Sequence, residues 1–198
     1  MITTLLILVN AFISYRAYRA FESGLDRDDY LLRPFQLSMG KNFKGAILSQ
    51  FSHVEIYHFI FNMLTLYFFG PIVEKIAGAI PYLLVYFASG ISAIGLTYLQ
   101  RKDDSNYSAL GASGCVSGIL FTSIVLFPGI SLYMFFIPIP IPGPVFAILY
   151  MAYSLFLMND TTGVSHEAHL GGALLGFLAG GYLAGGYQNF VNQFYSLF

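Results

Sequence analysis

The chain has 198 residues, enough for one ordinary domain, yet only 10% of them are Asp, Glu, Lys or Arg, where a soluble domain carries about 25%. With 57% hydrophobic residues, including 20 Phe and 15 Tyr, the chain has too little polar side chain to cover a water-soluble globule, and a net charge of -1 gives no basic footprint for nucleic acid. One cysteine, Cys115, excludes an internal disulfide and a cysteine-rich metal site. These readings leave an all-α membrane protein, a bundle of six transmembrane helices of about 20 residues each, filling residues 1–198 as a single domain in the lipid bilayer.

The expected spans follow the gaps between charges, because a charge at mid-bilayer costs at least about 2.5 to 3.5 kcal/mol. The first gap gives a span over 1–15. It lacks a basic start and a small-x-small cleavage site, so it reads as a retained helix rather than a signal peptide. A polar loop follows from Arg16 to Glu55, carrying Arg19, Glu22, Asp26, Arg27, Asp28, Asp29 and Arg33. The second span, 56–73, stops at Glu74-Lys75, and the third, 76–99, stops before Arg101-Lys102-Asp103-Asp104. From Ser105 to Asn159 no residue carries a formal charge, which is too long for one crossing and suits two. Pro128-Gly129 and the prolines at 138, 140, 142 and 144 cannot continue a helix, so these two spans are 110–127 and 143–158. The sixth covers 167–186.

Polar groups inside such spans usually face a protein interior or a water-filled cavity. They are His58 and Asn62 in the second span, Ser113 in the fourth and His169 in the sixth, with His53 and His166 just before two of these helices. Taken singly, a membrane-helix Ser usually bonds its own backbone, and a lone His or Asn often bonds across helices. Topology argues for more. The second, fourth and sixth helices run in the same direction, so their starts share a side, and all four polar groups lie within about two turns of those starts. Gly111, Gly114 and Gly118 surround Ser113, and Gly172, Gly176 and Gly180 line one face of the sixth span. Faces this small bring backbones close enough for a serine and a histidine to act as nucleophile and base. A metal site is the weaker reading, since His53/His58 and His166/His169 lack the i, i+4 spacing of a zinc-protease helix, and no cofactor is called for.

These residues resemble the rhomboid family of intramembrane serine proteases. Gly111-Ala112-Ser113-Gly114 resembles the family's Gly-x-Ser-Gly motif, Ala168-His169-Leu170-Gly171-Gly172 its Ala-His-x-x-Gly, and His58-Phe59-Ile60-Phe61-Asn62 its His-x-x-x-Asn, with His53 five residues upstream. The stretch Asn62 to Glu74, through Phe69-Gly70-Pro71, continues the match. The resemblance implies a Ser113–His169 dyad, an oxyanion held by Asn62, His58 and the Ser113 N–H, and supporting roles for His53, Gly111, Gly114 and Gly172. It implies single-pass, membrane-anchored protein substrates cut in or near their transmembrane helix. The alternatives are a catalytically silent relative that binds membrane helices and a lipase-like or thioester hydrolase using the same dyad.

Two positions depart from the family pattern. Asn42-Phe43-Lys44 stands where many members carry Trp-Arg in the first loop. Ser117 stands four residues after the nucleophile, where many members place an aromatic residue against the base, so the His169 ring needs another orienting group, such as an aromatic from another span. Orientation divides two arguments: the positive-inside rule puts the active site in the cytoplasm, whereas the resemblance puts it outside with both termini inside. The small bare core points to a bacterial inner (cell) membrane.

Overall fold

The computed structural model describes residues 1–134, 137–158 and 164–198. Helices dominate, and their ends are set by caps as much as by charge. The first, α1, runs from Ile2 to Ser23, past the predicted end at residue 15. Arg16, Arg19 and Glu22 lie on the exposed face of its last turns, opposite the buried Ala17 and Ala20, with Arg19 and Glu22 paired at 3.6 Å, and Gly24 in the left-handed region (φ 72°) closes the helix. The following segment holds two short helices, α2 (Pro34–Ser38) and α3 (Phe43–Leu48), tied by the Arg33–Asp28 ion pair at 2.8 Å and by Lys44 with Asp29.

The next helix, α4, spans Ile56–Ala77 and α5 spans Ala79–Arg101, with Gly78 (φ 87°) alone between them. Glu74 therefore lies inside α4 rather than at its end. Its carboxylate accepts from the Ile2 N–H (2.7 Å), the Thr3 N–H (3.0 Å) and Thr3 Oγ1 (2.7 Å), satisfying the orphan donors at the start of α1. The fourth long helix, α6, spans Ser113–Leu126. It starts three residues later than the expected span 110–127, because Gly111 has φ 136° and its N–H bonds Ser49 O at 2.9 Å instead of entering a helix.

An all-α chain is corrected by a small antiparallel hairpin, β1 (Ser131–Met134) with β2 (Ile137–Pro142). Prolines at every second position put their missing N–H groups on one edge, so the ladder needs donors only from the residues between. The remaining helices are α7 (Gly143–Phe156), α8 (His166–Leu183) and α9 (Gln188–Tyr195). Residues 159–163, within the loop expected between the fifth and sixth spans, lie outside the described residues.

The centre of the fold is α6, buried from Gly114 to Val125. It packs most extensively on α8, then on α5 and α4. Side chains added at Gly172 and Gly176 would collide with the carbonyl oxygens of Gly114 and Gly118, and one at Gly180 would lie 2.7 Å from Val125 Cβ. Glycines on both helices thus allow backbone-to-backbone contact. Thr122 Oγ1 donates to Gly176 O across this seam at 2.9 Å. By length and hydropathy, α4 and α5 can each cross a membrane, α8 and α9 qualify together across a 107° bend, and α6 and α7 are shorter apolar helices.

Candidate active site

Between the starts of α4, α6 and α8 lies a cavity of about 930 Å³ lined by His58, Asn62, Ser113 and His169, with Phe146 and Tyr150 of α7 on its flank. Each of the four polar groups reaches it from a helix start. Ser113 is the first residue of α6, so its N–H has no acceptor one turn back and points out of the helix end. His169 lies one turn into α8, its N–H bonded to Ser165 O at 3.2 Å. In α4, His58 occupies the first turn and Asn62 the second, and Asn62 Nδ2 donates to His58 O at 2.9 Å. Among the described residues no direct hydrogen bond joins Ser113 to His169. Such bonds often tighten only when substrate is bound.

The positive φ of Gly111 has a second consequence. A Cβ there would sit 2.5 Å from His58 Cε1, so only glycine admits the His58 ring beside the loop that leads to Ser113. That loop is held from behind by His53, which is buried at 3% exposure. The Ala112 N–H donates to His53 Nε2 (3.2 Å), which leaves the proton on Nδ1 to face Ser14 Oγ at 2.9 Å. Burial, and then the neighbouring His58 ring 4.9 Å away, push the His53 pKa down to about 3, so it is neutral and can accept that bond.

The sequence leaves the partner of the His169 ring as an unnamed aromatic from another span. The structure places Tyr150 of α7 beside it, with ring centroids 6.3 Å apart and 31° between planes. Tyr150 Oη and Ser117 Oγ share a hydrogen bond of 2.8 Å, and Phe121 and Phe146 flank the tyrosine ring at 5.3 and 5.6 Å. The small Ser117 thus makes room for, and holds, an aromatic from another helix. Glu167, at the start of α8, is paired with Arg101 at 3.1 Å and accepts from Tyr107 Oη at 2.8 Å. Arg101, Tyr107 and Tyr150 are the neighbours of the site that sequence reasoning missed. An unneutralised Glu at the start of a predicted span was the signal for the first two.

A helical membrane protein with a serine and a histidine facing one cavity at the ends of two glycine-packed helices defines a narrow class. The rhomboid domain family model matches residues 41–186, and the chain belongs to the rhomboid family. It is similar to RHOMBOID-like protein 12, mitochondrial, of Arabidopsis thaliana, with 29% identity over 88% of this chain and 56% of that protein. To Rhomboid protein 1, mitochondrial, of Saccharomyces cerevisiae it is 34% identical over 69% of this chain and 40% of that one. To Rhomboid protease AarA of Providencia stuartii it is 30% identical over 89% and 70%. The chain thus spans about half the length of the Arabidopsis relative and less of the yeast one.

Proposed function

We propose that the chain is an intramembrane serine endopeptidase, one membrane domain of six crossings, that hydrolyses peptide bonds in or near the transmembrane helices of membrane-anchored proteins. The observation that carries this reading is the shared cavity of Ser113, His169, Asn62 and His58. In it, His169 takes the Ser113 proton as Oγ attacks the scissile carbonyl carbon. The oxyanion so formed is held by the Ser113 N–H, the second Asn62 Nδ2 hydrogen and the His58 ring. Collapse breaks the C–N bond, and the imidazolium returns its proton to the leaving amine. Water, deprotonated by the same histidine, then releases the acyl group from Ser113.

The catalytically silent helix binder is the alternative, and the presence of both Ser113 and His169 weighs against it. The Providencia relative is named as a protease, which supports the hydrolytic reading. The membrane we propose is a cell (inner) membrane. The mitochondrial names of the plant and yeast relatives make a mitochondrial membrane the alternative.

The test uses purified protein in proteoliposomes with a single-span substrate. Ser113→Ala and His169→Ala should each abolish cleavage with the fold intact, and a fluorophosphonate should label Ser113 only when His169 is present. Labelling without cleavage of a helical substrate would point to a lipase-like hydrolase. Neither labelling nor cleavage by the wild type would favour the binder, and substantial turnover by Ser113→Ala would sink the serine mechanism.

A further inference from the structure

A buried ionic cluster outside the reacting set joins the two arms that carry nucleophile and base. Glu167 lies in the first turn of α8, two residues before His169, and is 1% exposed. Two residues correspond to about 200° around a helix, so its carboxylate leaves the opposite side of α8 from the histidine and cannot serve as a third member of a triad. A carboxylate this buried requires partners. Arg101, the last residue of α5, donates from Nε at 3.1 Å, and Tyr107 Oη donates to the same Oε1 at 2.8 Å.

The partners reach further. Arg101 Nη2 donates to Met158 O at 3.2 Å, just beyond α7. Its guanidinium lies 5.1 Å over the Tyr107 ring, and Tyr107 Oη shares a hydrogen bond of 2.9 Å with Ser165 Oγ immediately before α8. Tyr107 itself belongs to residues 102–112, the segment that delivers Ser113 and is pinned at Ala109 to Leu32 by two backbone bonds of 2.8 and 3.0 Å. One ion pair therefore joins the ends of α5, α7 and α8 to the nucleophile's own loop. Replacing a buried pair by apolar side chains is often neutral for stability, so the pair's effect is to be sought in geometry.

We propose that Arg101 and Glu167 are positioning residues. With Tyr107, they set the height and rotation of the first turn of α8 relative to the Ser113 loop, and so the distance over which His169 receives the Ser113 proton. This rests on the serine-protease reading above.

The experiment compares wild type with Glu167→Gln, with Arg101→Lys, and with the double variant Arg101→Met/Glu167→Leu, which removes both charges together. Each is assayed in proteoliposomes for kcat and KM on a single-span substrate, for the rate of fluorophosphonate labelling of Ser113, and for Tm. A misplacement of about 1 Å can cost on the order of 10²-fold. The double variant should keep a Tm near wild type yet lose about 10- to 100-fold in kcat, with KM within about twofold and labelling slowed by the same factor. Glu167→Gln should show the same loss, and Arg101→Lys, which keeps the charge but loses the fork that reaches Met158 O, a smaller one that reads out even if the others fold poorly.

Wild-type kcat in the folded double variant would overturn the proposal, as would losses confined to KM or tracking a fall in Tm across all three variants. If the wild type cleaves and labels while the variants match it, only the positioning role falls. If the wild type does neither, the protease reading falls and takes this inference with it.

Discussion

Asn62 bonds its own helix and is also a side chain proposed above to hold the oxyanion. Its amide donates one hydrogen to His58 O of its own helix, and an amide carries two, so the other remains for an oxyanion. Asn62→Ala should therefore lower kcat by about 10²- to 10³-fold with KM and Tm little changed, as measured on a single-span substrate. The double change with His58→Ala is stricter, and near-wild-type turnover there would remove both from the oxyanion hole. Tyr150 makes a different prediction. A ring contact is worth about 0.5 to 1.5 kcal/mol, about 2- to 10-fold in rate, so Tyr150→Leu should lose that much kcat whereas Tyr150→Phe, which keeps the ring, stays close to wild type. An equal loss in both would assign the effect to the Ser117 hydrogen bond instead. Ser113, His169, His58 and Asn62 could be singled out in the sequence because polar groups stand out in charge-free runs and depth can be counted from helix starts. Tyr150 could not, since a tyrosine in an apolar span looks like any other aromatic until the rotation of α7 is known. The partner of Glu167 was hidden for another reason: Arg101 lies 66 residues away in the chain, and only the packing of α5 on α8 brings them together.

At the scale of elements, the stretches between charges and prolines coincide with six long helices among the described residues, but their ends differ. Glu74, at which the charge gap ends, stays inside α4 because the start of α1 supplies its hydrogen bonds, and Arg19 and Glu22 stay in α1 because they lie on its exposed face. In the proline-rich stretch the helix-breaking signal was legible and the hairpin was not, since alternating prolines exclude a helix without specifying a strand partner. The glycine face of α8 carries the sharpest mechanical prediction. A side chain at Gly172 would strike the Gly114 carbonyl oxygen, one residue from Ser113, so Gly172→Val must push α8 and α6 apart. Activity on the single-span substrate should fall by on the order of 10²-fold. Leu178→Val, at a side chain 64% exposed, should leave it nearly unchanged. Equal activity in the two variants would mean that this seam does not hold Ser113 and His169 at their working distance.

The whole molecule is more apolar outside than a soluble protein tolerates. Phe12, Tyr67, Phe68, Leu84 and Ile91 are exposed, while Asn10, Ser89, Thr97 and Thr122 are fully buried, the distribution expected where lipid surrounds the chain and polar groups turn inward. Its direction in the bilayer follows from which ends share a side. The segments 24–55 and 102–112 meet through the Leu32–Ala109 bridge and the Gly111–Ser49 bond, so both polar loops lie at the cavity mouth. The start of α1 is instead held by Glu74, near the far end of α4, and α8 starts at the cavity and runs away from it. The cavity side then holds Arg16, Arg19, Arg27, Arg33, Lys41, Lys44, Arg101 and Lys102, against Lys75 alone on the other. Counted alone, these charges would put the cavity in the cytoplasm. Among the described residues four of them are in ion pairs: Arg19 with Glu22, Arg33 with Asp28, Lys44 with Asp29, and Arg101 with Glu167. That internal pairing, together with the resemblance of the motifs to the family, favours a cavity outside and both termini inside. A reporter fused after Phe198 should accordingly show the activity characteristic of the cytoplasm. A cysteine placed at Ser105, in the second polar loop, should react with an impermeant thiol reagent added to intact cells in the Cys115→Ala background. The reverse pair of results would mean that the uneven distribution of Lys and Arg, rather than the motif resemblance, sets the orientation.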